Sequence, residues 1–273
     1  NFDYALAKGV AKTYIKNYSD NLAKALELMA GLENAKDAVK DVKSKIRTER
    51  NLKPSLAGSD DYAKFEAEAL KARKIDEKAV ERAQKFASEN AYTETERATY
   101  QAMEALVHNL NTMHSRAGAQ IPFSSINYGM DTSPEGRMLV KNLLLATEAG
   151  LGNGETPIFP IQIFKVKEGI NYNEGEPNYD LFKMACRCSA KRLFPNFSFI
   201  DAPFNLQHYK PGHPETEIAY MGCRTRVMAN HYDPENEIVF GRGNLSFTSV
   251  NLPRLAIKSK GNVELFFEQL DNV

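Results

Sequence analysis

Three cysteines are the residues best suited to covalent or radical chemistry. Cys223 lies in YMGCRTRVM, between the turn-rich segments HYKPGHPETE and NHYDPENE, which predicts a short excursion between loops. Gly222 beside it allows a close approach of backbone or ligand. Arg224 and Arg226 would favour a thiolate if they point towards the sulfur, but their spacing does not require it. A lone cysteine is more often a small buried hydrophobe, so the pattern leaves a reactive and a structural role open.

The other two cysteines, Cys186 and Cys188, lie in LFKMACRCSAKRLF, which has a helical pattern. Residues two apart on a helix face different directions, so the pair makes a poor joint metal site. We predict that both are structural, with one of them packed against a sheet. The five histidines form no H-E-x-x-H arrangement, and no metal site is predicted in this segment. His114 lies at a predicted helix-to-strand junction, where α/β folds place ligands.

Two glycine-rich segments, GLGNGETPIF and GRGNLSFTS, match neither of the common phosphate-binding loops. The first is predicted to be a tight turn. The second is followed directly by polar residues along a predicted strand, namely Asn244, Ser246, Thr248 and Ser249. This segment is therefore the better candidate for a polar binding surface.

The composition excludes several classes of partner. The 35 basic and 35 acidic residues cancel, so no global field favours a nucleic acid polymer or an anionic membrane surface. No apolar stretch approaches the roughly 20 residues that span a bilayer, and the first residues carry no secretion signal. Three cysteines cannot form a complete disulfide framework. We therefore predict a cytoplasmic protein with reduced thiols.

These residues must be positioned by two different kinds of structure. Residues 1–110 contain one proline and three glycines and are rich in Ala, Lys, Glu and Leu, so this portion is predicted to be mainly helical. NLKPSLAGSDDY predicts a break between helices, and Thr93 with Glu96 a capping box. Residues 111–273 alternate short apolar runs with helical segments, which predicts an α/β fold with a parallel sheet or barrel. The predicted strands are IPFSSINYG, TPIFPIQIFKV, FSFIDAP and SFTSVNLP.

Five segments in order resemble one family: HSRAGAQIPFSSINYG, EAGLGNGETPIFPIQIFKVKEGINYN, PNYDLFKMACRCSAKRLFPNFSF, YMGCRTRV and GRGNLSFTSVNLPRLA. They are similar to the anaerobic ribonucleoside-triphosphate reductases, the oxygen-sensitive glycyl-radical class, and the similarity runs over essentially the whole chain. The resemblance implies a ten-stranded α/β barrel of the glycyl-radical enzyme type, with a cysteine loop through its centre. It implies that a glycyl radical converts Cys223 to a thiyl radical, which abstracts the ribose 3′-hydrogen, and that Asn244 holds the ribose hydroxyls.

The same resemblance suggests further contacts. Ser246 and Thr248 on the Asn244 segment, and Ser124, Ser125 and Asn127 on the earlier strand, would contact ribose or phosphate, although all five could equally be satisfied strand polar groups. FDYALAKGVAKTYIKNYSDNLAKA resembles the family's effector-binding helix at the dimer interface. Its candidate contacts are Lys12, Tyr14 and Lys16, and the alternative is an ordinary amphipathic helix.

Partners follow from the resemblance as well. They are ribonucleoside triphosphate substrates, deoxynucleotide and ATP effectors, a radical-SAM activating enzyme, a formate or thioredoxin/glutaredoxin-type reductant, and a second copy in a homodimer. The family's glycyl segment, its C-terminal zinc site and its ATP cone do not occur in these 273 residues. The chain is therefore expected to be a catalytically incomplete fragment that binds no cofactor itself. The rival hypothesis is a non-catalytic nucleotide-binding or scaffold module that retains the barrel.

Overall fold

The computed structural model describes residues 1–114, 120–222, 225–227 and 249–273. The chain divides into two compact units, Asn1–Met228 and Ala229–Val273. The helices of the first unit are α1 (Phe2–Ala30), α2 (Ala35–Arg50), α3 (Asp60–Lys71), α4 (Glu77–Thr112), α5 (Pro134–Ala149), α6 (Tyr179–Arg192) and the short α7 (Pro203–Leu206). Its strands are β1 (Ser125–Tyr128), β2 (Ile161–Val166), β3 (Asn196–Phe199), β4 (Ala219–Met221) and β5 (Thr225–Val227). The described part of the second unit holds α8 (Leu252–Ser259) and α9 (Val263–Asp271).

Residues 1–110, predicted to be mainly helical, contain α1 to α3 and most of α4, and these helices begin and end where local chemistry allows. α1 ends at Gly31, whose left-handed backbone closes the last turn. The break predicted at NLKPSLAGSDDY separates α2 from α3. Ser59 caps α3 by accepting a hydrogen bond from the Tyr62 backbone, and Asp76 caps α4 through the Ala79 backbone.

The capping box predicted at Thr93 is wrong, because α4 runs uninterrupted through this position. The Thr93 hydroxyl donates instead to the Glu89 carbonyl, one turn earlier in the same helix, at 3.1 Å. Small buried residues recur every four positions along α4, at Ala87, Ala91, Thr95 and Thr99. They form one narrow face against which α1 packs. This tertiary packing favours a continuous helix over the local signal for a new helix start.

Two buried clusters organise the first unit. One lies among α1 to α4 and is built largely from alanines, leucines and tyrosines of those helices. The other joins the sheet to α5 and α6, and it also includes Val10 of α1 together with Met103 and Val107 of α4. Helices α1 and α4 thus contribute to both clusters and connect the helical portion to the sheet.

The predicted parallel sheet is confirmed for three strands, in the order β1-β2-β3. Ser125 pairs with Ile161, and Ile163 pairs with Asn196. α5 and α6 occupy the two connections between these strands, as parallel pairing requires. Of the predicted strand SFTSVNLP, positions 246–248 lie outside the described residues, and the remainder enters α8 at Leu252 without forming a strand.

The cysteine pair of α6 behaves as its spacing predicts. Cys188 is fully buried and its Sγ contacts the Leu144 carbonyl at 3.7 Å, whereas Cys186 is exposed. Burial raises the pKa of Cys188 to about 11. Because only one of the two sulfurs faces the interior, they cannot share a ligand.

A buried carboxyl group lies within the helical portion. Glu66 of α3 accepts hydrogen bonds from the Tyr18 hydroxyl at 2.6 Å and from Gln84 Nε2 at 2.9 Å. Burial raises the pKa of Glu66, and these hydrogen bonds only partly oppose that effect. The folded protein therefore favours the protonated form of Glu66.

We expect Glu66→Gln to stabilise the protein increasingly as the pH rises. Because the folded-state pKa is raised, the contribution of wild-type Glu66 is fully present below its ordinary pKa of 4.5 and is lost as the pH rises through the raised value. Glutamine keeps an acceptor oxygen and does not titrate. Scanning calorimetry between about pH 5 and pH 8 should show a growing Tm advantage of about 2–4 °C. Glu68→Gln, on the exposed side of α3, is the control and should show no such trend.

Candidate functional site

The parallel sheet has one apolar and one largely polar face, because alternate residues of a strand point to opposite sides. The apolar face packs on α5 and α6 and contains Ile126, Tyr128, Phe164, Val166 and Phe197, together with the buried Gln162. The opposite face, hereafter the polar face, contains Ser125, Asn127, Lys165, Asn196 and Ser198 alongside two isoleucines. Polar side chains concentrated on one face of a sheet mark it as a candidate site.

The residues that flank Cys223 form a hairpin. β4 and β5 pair antiparallel, with Met221 opposite Thr225, and Gly222 follows β4 directly. The short excursion predicted for this segment is thus flanked by two paired strands in the described residues. Five positions from the sequence analysis lie outside the described residues: Cys223, Arg224, Asn244, Ser246 and Thr248. Their roles stay predictions.

Two residues of β1 hold this hairpin against the polar face. The Asn127 side chain donates to the Tyr220 carbonyl and accepts from the Tyr220 amide, both at 2.8 Å. The Gly222 amide donates to Ser125 Oγ at 3.0 Å. The structure therefore brings two predicted substrate residues next to the strand that leads to Cys223.

The remaining predicted residue of this strand differs from its neighbours. Ser124 Oγ is buried and, within the described part of the chain, has no hydrogen-bond partner. A buried hydroxyl usually has a partner, so this atom is available to a ligand group or a water molecule. Of the three candidate residues on the predicted strand, Ser124 precedes β1 and is the one whose side chain has no hydrogen bond among the described residues.

Arg226 of β5 anchors the other strand of the hairpin. Its Nη2 donates to the Phe204 carbonyl of α7 at 2.9 Å, and its guanidinium lies 4.8 Å from the centre of the Phe204 ring. This engagement ties β5 to α7, and the orientation of Arg226 relative to the Cys223 sulfur stays a prediction because Cys223 lies outside the described residues.

A buried ion pair lies between the polar face and the approach to β4. Lys165 Nζ is 3.0 Å from Glu217 Oε2, and the two side chains are 0% and 2% exposed. Glu217 also accepts hydrogen bonds from the Tyr4 hydroxyl at 2.9 Å and from Asn1 Nδ2 at 2.7 Å. Burial lowers the pKa of Lys165, and attraction to Glu217 opposes that shift. The pair links β2, the start of α1 and the segment that enters the hairpin.

A second buried carboxylate organises the end of β1. Asp3 of α1 is fully buried, and its Oδ2 accepts the backbone amides of Gly129, Met130 and Asp131 at 2.8, 3.1 and 3.2 Å. Gly129 has a φ of +120°, and a Cβ there would lie 2.9 Å from the Lys165 carbonyl oxygen. Three converging amides thus satisfy one carboxylate and tie α1 to the sheet.

The predicted effector residues lie on two sides of α1. Lys12 and Lys16, one turn apart, are exposed, whereas Tyr14 is 5% exposed and packs near Tyr18 with a ring separation of 6.2 Å. Tyr14 also lines a cavity of about 230 Å³ whose wall includes Tyr18 and Tyr62. The lysines are therefore accessible to a solvent-borne ligand, and the tyrosine belongs mainly to the helix packing.

His114 is exposed just after α4. In the described ranges, no cluster of three histidine, cysteine, aspartate or glutamate side chains is arranged to hold a metal ion. Nor does any helix there combine the length and apolar character that crossing a bilayer would demand.

Comparison with known proteins adds a family to this geometry. The sequence model of the family described as anaerobic ribonucleoside-triphosphate reductase matches residues 1–273. The chain belongs to this family. The reductase of that name from Salmonella typhimurium is 35% identical over 66% of the chain, and the Escherichia coli one is 34% identical over the same share. A relative from Enterobacteria phage T4 is 36% identical over 66% of the chain. The chain covers 24% of each bacterial relative and 30% of the phage one.

In this chain of the anaerobic reductase family, the buried ion pair of Lys165 and Glu217 was not predicted from the sequence. Lys165 is the charged residue of the otherwise uncharged run IQIFKV, and a lysine inside a buried strand is rare unless it is paired. That signal was available in the sequence. The partner of Lys165 could not be predicted from the sequence, because Glu217 lies 52 residues further along in a turn-rich segment without a distinguishing pattern.

Proposed function

We propose that this chain is the part of an anaerobic ribonucleotide reductase that holds the substrate-activating cysteine, Cys223, in reducing ribonucleoside triphosphates to deoxyribonucleotides. One structural observation carries the proposal. The strand leading to Cys223 is hydrogen-bonded to Ser125 and Asn127 on the polar face of a parallel sheet. Together with the family match over residues 1–273, this supports a reactive cysteine beside the polar face of the sheet.

The chemistry proposed for Cys223 is hydrogen-atom transfer. A glycyl radical, on a residue outside this chain, would supply the unpaired electron by taking the hydrogen atom of the Cys223 thiol. The Cys223 sulfur then takes the ribose 3′-hydrogen atom, so one S–H bond forms as one C–H bond breaks. The two bonds are of comparable strength, which keeps the transfer reversible. Asn244, whose amide both donates and accepts, holds the ribose hydroxyls as water leaves.

The barrel is proposed as the larger structure to which the sheet belongs. Strands β1, β2 and β3 are parallel and have helices on one face, which is the arrangement found in the wall of an α/β barrel. In a ten-stranded barrel of this kind the polar face would point inwards, towards the hairpin. Ser124, with its unengaged hydroxyl, and Ser246 and Thr248 are the proposed contacts to ribose or phosphate.

Regulation and partners complete the proposal. Lys12 and Lys16, exposed one turn apart, would contact the phosphates of a deoxynucleotide or ATP effector, with Tyr14 supporting the helix behind them. The second copy of a homodimer, a radical-SAM activating enzyme and a formate or thiol reductant are proposed as partners. Zinc would be held in the family's C-terminal part, outside this chain.

The test is Cys223→Ser in the full-length, anaerobically activated enzyme. The serine O–H bond is much stronger than the thiol S–H bond, so hydrogen-atom transfer becomes strongly uphill. Turnover should fall by at least about 10⁴-fold, equivalent to about 5.5 kcal/mol of barrier. The glycyl-radical signal in electron paramagnetic resonance should persist. Cys186→Ser, an exposed change on α6, is the matched control and should keep turnover within about two-fold of wild type. Turnover surviving in Cys223→Ser would refute the proposal.

A further inference from the structure

We propose that Asn127 and Ser125 are positioning residues that set the place of the Cys223 hairpin, rather than ligands of the nucleotide. The inference rests on the proposed function, because it concerns how the reactive cysteine is held. It changes the role that the sequence suggested for both residues. The observation that carries it is the direction of their hydrogen bonds, which run to the backbone of the hairpin.

The Asn127 side chain makes the two hydrogen bonds to the β4 backbone that a neighbouring strand would otherwise make. In the described residues β4 pairs by backbone hydrogen bonds with β5 and belongs to a different sheet from β1. Asn127 bridges the two sheets by bonding both the amide and the carbonyl of Tyr220, each at 2.8 Å. A paired donor and acceptor on one residue is what a strand neighbour would supply. These two bonds use one N–H donor and one acceptor lone pair of the Asn127 amide and fix its orientation towards the Tyr220 backbone.

Ser125 fixes the last described residue before the cysteine. Its Oγ accepts the Gly222 amide at 3.0 Å. Gly222 has a φ of +66°, and a Cβ added there would lie 3.3 Å from the Phe123 ring. The backbone at Gly222 is therefore oriented from β1 by one hydrogen bond, and its positive φ favours glycine. Any shift of Gly222 must be passed to its chain neighbour Cys223.

The far strand of the hairpin is held from a different element. Arg226 ties β5 to α7 through the Phe204 carbonyl at 2.9 Å. Asn127, Ser125 and Arg226 thus hold the hairpin on both sides of its turn. Hydrogen-atom transfer depends steeply on the distance between the reacting atoms, and a misplacement of about 1 Å can cost about 10²-fold in rate. Loss of a positioning residue should therefore lower the rate of the chemical step and leave nucleotide affinity largely unchanged.

The chief test is Asn127→Asp in the full-length activated enzyme. A carboxylate keeps the shape but places an acceptor oxygen against the Tyr220 carbonyl, which pushes β4 away. We expect kcat to fall by about 10²-fold. The KM for the ribonucleoside triphosphate, and its Kd measured by equilibrium dialysis on unactivated enzyme, should stay within about three-fold. The glycyl-radical content, measured by electron paramagnetic resonance, should be unchanged. All rates are divided by the glycyl-radical content, so that misfolded protein does not lower the measured kcat.

Asn171→Asp is the matched control. Asn171 is also a buried amide that spans backbone groups, donating to the Gly129 and Lys165 carbonyls and accepting from the Lys167 amide at 2.8–3.0 Å. None of these hydrogen bonds joins Asn171 to a residue of the hairpin. The control should lose stability, yet keep kcat per glycyl radical within about three-fold of wild type.

A second pair of variants keeps the test decisive if Asn127→Asp does not fold. Ser125→Ala removes the acceptor of the Gly222 amide and should lower kcat by about ten-fold, whereas Ser125→Thr keeps the hydroxyl and should restore most of it. Two results would overturn the inference: a normal kcat in the disruptive variants, or a raised KM and Kd with kcat retained, which marks substrate ligands. Failure of the proposed function is distinguishable, since it appears as turnover surviving in Cys223→Ser.

Discussion

Replacing Lys165 with methionine is expected to destabilise the protein by about 3–5 kcal/mol, because it leaves the buried Glu217 carboxylate without its cation. Methionine matches the lysine stem in volume, so the expected loss is electrostatic rather than a cavity effect. Glu217 lies just before β4, and the damage should therefore extend to the Cys223 hairpin. Amide hydrogen exchange in the full-length enzyme should show faster exchange in peptides that span β2 and β4.

Two further variants isolate the cause. Lys167→Met, two residues along, removes a lysine whose partner Asp201 is 39% exposed, and it should cost no more than about 1 kcal/mol. Adding Glu217→Gln to Lys165→Met removes the stranded charge and keeps acceptor capacity for Tyr4, so about half of the stability should return. Equal losses in Lys165→Met and Lys167→Met, or no recovery in the double variant, would show that the buried charge is not the cause.

Asp3→Ala is expected to have a second large effect, on the order of 3–5 kcal/mol. The change leaves the amides of Gly129, Met130 and Asp131 buried without their shared acceptor, and each such loss costs about 1–3 kcal/mol. Thermal unfolding of the full-length enzyme should show a lower Tm for the transition that includes the sheet. Exchange should quicken at the end of β1.

The control for Asp3 is Asp20→Ala in the same helix. Asp20 is exposed, and this change should alter stability by no more than about 0.5 kcal/mol. Asp3→Asn keeps one acceptor oxygen and should fall between the two alanine variants. If Asp3→Ala were as stable as Asp20→Ala, the three amides would have to be satisfied in another way, and the proposed tie between α1 and the sheet would be wrong.

Local patterns predicted the elements of the fold well where each element depends on its own residues. The helical composition of residues 1–110 corresponds to α1 to α4, and the runs around Ser125, Ile161 and Asn196 correspond to β1, β2 and β3. Their parallel order also followed from the alternation with helices. The capping-box prediction at Thr93 was wrong because it ignored contacts with another part of the chain. A capping signal is local, whereas the continuity of α4 comes from packing against α1.

In the candidate site, too, some features of single residues were predicted from local sequence and others depend on distant residues. The sequence singled out Ser125 and Asn127 as polar residues on a predicted strand, and they do lie beside the chain that leads to Cys223. It left open whether they bind ligand or satisfy the protein. The answer depends on the hydrogen bonds of Asn127 and Ser125 to Tyr220 and Gly222. These partners lie more than 90 residues away, and no periodicity in the sequence relates them to the strand.

The role of Cys223 was predicted from the sequence alone, through the order of long segments that resemble one family, and it stays a prediction. The match over residues 1–273 establishes the family. Composition and spacing also determined the helical and α/β portions, because both arise from contacts close in the chain. Only the tertiary structure decided that Asn127 bonds the Tyr220 backbone, that Lys165 pairs with Glu217, and that Asp3 accepts three backbone amides. These are bonds between residues 52 to 128 positions apart, and their partners are specified by how the elements pack.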